Sequence, residues 1–132
     1  MKIAADTNVL LRNVLQDDPK QSSLAAKELE SAEQIMISSP VFCEFAWVLR
    51  HLYRKPAPAV AAAIRYLMDS ENVVTDRATV EAGLTVLDKG GDFADGAIAY
   101  EGAWLGADEF VSFDKKAVAL LQSQGKRARL LA

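Results

Sequence analysis

Short apolar runs alternate along the chain with longer stretches in which apolar residues return every three or four positions. The short runs predict buried strands and the longer stretches predict amphipathic helices. Residues 2–5 read as a first strand, and Thr7 to Arg12 as a helical turn that stops near Asp17-Asp18-Pro19. Pro19 suits the first turn of a helix over 19–32, with Leu24 and Leu29 in its apolar pattern. Residues 34–38 predict a second strand. Ser38-Ser39-Pro40 then starts a helix to about Tyr53, because serine caps and proline tolerates the first turn. Val41, Phe45, Val48, Leu49 and Leu52 have the spacing of one buried face, and Glu44 falls among them.

Pro56-Ala57-Pro58 breaks the chain before a helix over 58–69, with Val60, Ile64, Leu67 and Met68 inward. A short strand at 72–74 leads to a helix over 77–88, capped by Asp76 and ended by Gly90-Gly91. Another helix runs from Asp92 to about Leu105, with Ile98, Ala99 and Gly102 on the face of Asp95. Strand 109–113, helix 115–124 and a final strand at 128–131 complete the pattern. Strands alternating with helices imply an α/β fold whose parallel sheet is covered on both faces.

Composition narrows the picture. A chain of 132 residues, half hydrophobic and a quarter charged, fits one globular domain over 1–132 with a real core. The single cysteine, Cys43, excludes an intrachain disulfide and suits a reducing cytoplasm. Its apolar helical setting predicts a small buried hydrophobe. The single histidine, His51, excludes a multi-histidine zinc site and disfavours a nucleophilic triad; a place on a helix surface is expected. The opening reads directly as a strand, so no signal peptide is expected. No apolar run approaches the roughly 18 residues that cross a bilayer. A net charge of −3 argues against binding nucleic acid by bulk charge. A local basic rim stays compatible with it, because bound metal adds positive charge.

Four carboxylates carry the candidate chemistry. Asp6 and Asp114 end apolar runs, while Glu44 and Asp95 fall on predicted apolar stripes. Ligands of open α/β sheets bind at the carboxyl ends of the strands. Asp6 and Asp114 stand at such ends, and helices bearing Glu44 and Asp95 begin at the same edge. Together the four would repel one another unless paired or bound to a hard cation, Mg²⁺ or Mn²⁺. One or two such ions would direct a water at a phosphodiester without a covalent intermediate. Asn8 and Ser112 are candidates to hold water or orient an acid. For any one aspartate, helix capping is the simpler reading, and an arginine such as Arg12 is a possible partner for Glu44.

These residues resemble the PIN-domain family, and within it the VapC-type toxins of bacterial toxin–antitoxin pairs. The segments that carry the resemblance are Ile3 to Arg12, Pro40 to Leu49, Asp92 to Ala99 and Val111 to Asp114, in order over essentially the whole chain. It implies a PIN-like three-layer α/β/α domain with a central, mostly parallel sheet of four or five strands. It also implies a metal-dependent endoribonuclease, with Asp6 and Asp95 as main metal ligands and Glu44 and Asp114 completing the site. Asp92 is a near neighbour that caps its helix or joins the site. Ser112 replaces the threonine frequent in the family and keeps the hydroxyl. An RNA substrate, a VapB-type antitoxin and a homodimer are the implied partners. Trp47, Tyr53 and Tyr66 are candidates for interfaces.

Arg12, Lys115 and Lys116 are the favoured RNA contacts; Arg50, Arg54 and Lys55 are further candidates. Two other readings compete. A haloacid-dehalogenase-like phosphatase needs an aspartate where Asn8 stands, and a non-enzymatic α/β binding module needs no convergence of the acids. Neither the RNA cleaved nor the number of metal ions follows from the sequence.

Overall fold

The structure, a computed structural model, describes all 132 residues. Twelve elements follow in order: β1 (Lys2–Ala4), α1 (Thr7–Leu15), α2 (Pro19–Ser31), β2 (Gln34–Met36), α3 (Ser39–His51), α4 (Ala57–Asp69), β3 (Val73–Val74), α5 (Arg77–Asp88), α6 (Phe93–Trp104), β4 (Phe110–Ser112), α7 (Lys115–Ser123) and β5 (Ala128–Leu130). Aspartates define several helix starts. Asp6, Asp18, Asp76 and Asp114 each accept a backbone N–H from the third residue onward, offsetting one of the unpaired donors of a first helical turn. Proline stands in the first turn of α2, α3 and α4. Ser38 occupies the cap position of α3 without making a side-chain cap bond.

All strand pairing is parallel, which together with the seven helices makes the α/β fold expected from the alternation. The expected single sheet of four or five strands is divided in two. β1, β2 and β3 form one sheet in that order, with Ile3 opposite Ile35 and Ile35 opposite Val73. β4 and β5 form a second, with Val111 opposite Arg129. β1 and β4 therefore each keep a free edge. The second sheet is held through α7 instead. Lys116 Nζ donates to the Gly90 carbonyl at 2.7 Å, and a Cβ on Gly91 would strike the side chain of Leu120.

A core of 21 buried residues runs from Ala5 to Ala97 and draws on the three-stranded sheet and its helices; Phe42, Phe45, Leu10, Ile64, Val80 and Leu84 lie at its centre. Within α3 the buried face is Phe42, Phe45, Ala46 and Leu49. Of the stripe expected, Phe45 and Leu49 are buried, Val41 and Val48 are half-buried against the core, and Leu52 is exposed. Positions 41, 42, 45, 48 and 49 are all apolar, so two stripes overlap, and the fold buries the one holding both phenylalanines, which has the larger apolar area. Leu52 and Glu44 consequently face solvent. Leu24 of α2 and Ile98 of α6 are also exposed, and Ser22, Ala25 and Leu29, and Phe93, Gly96 and Ala97, are buried in their place.

α5 and α6 approach closely because glycine faces each of them. A Cβ on Gly96 would collide with the Ala82 carbonyl, and one on Gly83 with the Phe93 ring. This contact sets the position of the first turn of α6, which carries Asp92 and Asp95.

Candidate metal centre

Asp92, Asp95 and Asp114 each place a carboxylate oxygen within 4.8 Å of the others. Asp92 and Asp95 lie one helical turn apart, three residues on one face. Asp92 stands at the cap position of α6 but makes no side-chain cap bond, so neither of its oxygens is taken up by the helix start. Asp114 caps α7 through Oδ1, which accepts the Ala117 N–H at 3.1 Å. The Ser112 hydroxyl oxygen accepts the Asp114 N–H at 2.9 Å and fixes the turn that aims this aspartate.

The electrostatics of the triad favour a cation. Asp95 is half-buried, and its carboxyl is held above the usual carboxylate range, first by burial and then by the charges of Asp92 and Asp114. A pair of carboxylates at this separation repels by roughly 1 to 3 kcal/mol between the bulk-water and protein-surface dielectric limits. No lysine or arginine forms an ion pair with any of the three. The one basic group within ion-pair distance of them is His51, whose Nε2 lies 3.8 Å from Asp92. Three hard oxygen donors with uncompensated negative charge fit Mg²⁺ or Mn²⁺.

The other sequence candidates stand outside this close group. Asp6 is exposed at the carboxyl end of β1 and caps α1 through the Val9 N–H at 3.2 Å. Glu44 is exposed on α3. Neither joins the close group. Arg12 is not the partner of Glu44; it pairs with Asp17 at 3.0 Å and donates to the Tyr53 hydroxyl at 3.1 Å. Asn8 and Lys115 are exposed, and the Lys116 ammonium is engaged by Gly90. Cys43 is half-buried, and burial pushes its thiol up, which disfavours a thiolate nucleophile.

Asp92 is the residue the sequence pattern undervalued; its i, i+3 relation to Asp95 was the available signal. Arg50 and His51 also flank the site. With Trp47, Asp92 and Asp95 they line a small pocket of about 70 Å³ between α3 and α6. A far larger cavity, about 900 Å³, lies between the α5–α6 pair, β4 and the end of α7. Its lining includes Tyr100, Trp104 and Phe110 and no member of the triad, so size alone does not mark the chemistry. No helix is long and apolar enough to cross a membrane.

Comparison with curated proteins and with solved structures finds no match. The family model for the PIN domain matches residues 3–120, a span that begins within β1, ends within α7 and includes all three acids of the triad. The chain belongs to the PIN domain family.

Proposed function

We propose that the protein is a metal-dependent endoribonuclease, and that it acts as a VapC-type toxin held in check by a VapB-type antitoxin. PIN domains are generally Mg²⁺- or Mn²⁺-dependent nucleases, and the family implies an RNA substrate. One observation carries the reading for this chain: a half-buried Asp95 meets two more carboxylates, and no lysine or arginine forms an ion pair with any of them. A phosphatase or a plain binding module is disfavoured by the family and does not call for this convergence.

Asp95 and Asp114 would hold the cation, joined by Asp92. When bound, the ion supplies charge for the phosphate and lowers the pKa of a water. Ser112 fixes the turn of Asp114, and the packing of Gly96 on α5 fixes Asp95. Asp6 and Glu44 belong to the proposal on the strength of the sequence pattern. Asp6 and Asp114 stand alike, each two residues past the end of its strand, β1 or β4. Arg12, Lys115 and Lys116 are proposed around the RNA path, with Arg12 exchanging Asp17 for phosphate. A cytoplasmic location, which a lone thiol suits, and a homodimer, which the family resemblance implies, belong to the proposal.

Purified protein with Mn²⁺ or Mg²⁺ is expected to cleave single-stranded RNA and to stop doing so with EDTA or as Asp95→Asn. Equal cleavage by Asp95→Asn would contradict the nuclease reading. Induced expression should arrest bacterial growth only with the intact triad, and the product of an adjacent reading frame should relieve the arrest. Growth arrest by Asp95→Asn would remove the toxin role.

A further inference from the structure

Trp47 is large, apolar and half-exposed, at 54 % of its full area. It does not belong to the buried face of α3. Its indole lies against the His51 imidazole, with ring centroids 5.2 Å apart and planes inclined by 38°. His51 in turn reaches toward Asp92. Arg50, on the same flank, is half-buried and forms no ion pair or side-chain hydrogen bond. All three border the pocket that Asp92 and Asp95 also line. An exposed aromatic face, braced by a second ring and set beside an unpaired guanidinium, has the parts of a nucleotide-binding platform. The ring offers a base a stacking surface, and the cation complements a phosphate.

We propose that Trp47 stacks a base of single-stranded RNA next to the scissile phosphate, while Arg50 holds an adjoining phosphate and His51 braces the indole. The assignment rests on the nuclease reading for its substrate class. Stacking accepts any base, so the platform sets affinity and the register of the strand rather than a strict sequence. Trp47 and Arg50 are binding residues in this scheme, and the chemistry stays with the acids.

The test uses Trp104→Phe protein, in which Trp47 is the only tryptophan, with Ca²⁺ replacing Mg²⁺ or Mn²⁺ and the RNA checked for integrity. A uridylate hexamer should quench the Trp47 fluorescence saturably, and an abasic ribose-phosphate strand of equal length should bind more weakly. In anisotropy titrations Trp47→Ala should weaken hexamer binding by roughly fivefold to a hundredfold, and Trp47→Phe by much less. Arg50→Ala should lower the slope of log affinity against log salt by about 0.7, with Arg50→Lys near the parent. Equal binding of the abasic strand, or unchanged affinity in Trp47→Ala, overturns the platform. If Asp95→Asn still abolishes metal-dependent cleavage in that case, the nuclease reading stands without it. Absence of both RNA binding and cleavage in the parent protein removes both.

Discussion

The body from β1 to α6 and the unit β4–α7–β5 are built to different standards. The body shares a continuous core of 21 buried residues, with phenylalanine, leucine and isoleucine at its centre. The smaller unit buries Ala117, Val118 and Leu121 outside that core and leaves Phe113 77 % exposed. Its sheet has two strands, and such a pair gains little stability alone. The candidate metal centre straddles the two regions: Asp92 and Asp95 come from the body and Asp114 from the unit. The contrast teaches that the site is half anchored. One side is fixed by close helix packing, and the other by a cap, a serine hydroxyl, one lysine–carbonyl bond and the packing of Leu120 on Gly91.

Breaking the site from either side should give the largest effect. Asp95→Asn and Asp114→Asn should each reduce metal-dependent RNA cleavage roughly a hundredfold or more, since even residues that only support metal ligands typically cost tenfold to a hundredfold. A loss confined to the body's aspartate, measured as kcat/KM on one RNA, would show that the unit does not complete the site. Next comes stability. Phe45→Ala should cost about 3 to 5 kcal/mol in chemical denaturation, as for a fully buried aromatic. Leu121→Ala should move the main transition less and instead reduce amide protection across 110–130. Equal shifts of the main transition would mean that the two regions unfold as one.

Gly96→Ala sharpens the comparison at the joint. The added methyl meets the Ala82 carbonyl, and overpacking of this kind costs about 1 to 3 kcal/mol. Cleavage should fall with it, because Asp95 is displaced; unchanged denaturation would argue against the close approach. The smallest effect is the pH dependence of the metal-free protein. The folded Asp95 carboxyl titrates above its unfolded value, so the folded state keeps its proton to higher pH. Its unfavourable contribution is absent below the ordinary carboxylate range and grows as pH rises through the raised folded pKa. Metal-free stability should therefore decline across that window, and Asp95→Asn should flatten the decline. A parent protein whose stability rises there, with the same profile in Asp95→Asn, would contradict this.

Most elements were legible because each carried its own local signal. Asp18-Pro19, Asp76 and Gly90-Gly91 mark helix boundaries that the structure keeps within a residue or two. Asp95 and Asp114 were legible as site candidates for the same reason, one at the start of a helix and one at the end of a strand. What escaped depended on tertiary choice. In α3 two overlapping apolar stripes competed, and only packing decides that Phe42 rather than Val41 turns inward and that Glu44 faces water. Likewise the sequence places Asp6 and Asp114 at strand ends, but strand pairing is non-local, and no residue in β1 or β4 specifies its partner. Asp92 resembled a cap, and only the missing cap bond frees it for the triad.

The central claim is that Asp92, Asp95 and Asp114 together hold a divalent cation across the two regions. Anomalous diffraction from crystals grown with Mn²⁺ tests it most directly. The expected result is an anomalous peak bonded to carboxylate oxygens of these three residues. A peak held by other side chains, or no peak at saturating Mn²⁺, would contradict the account.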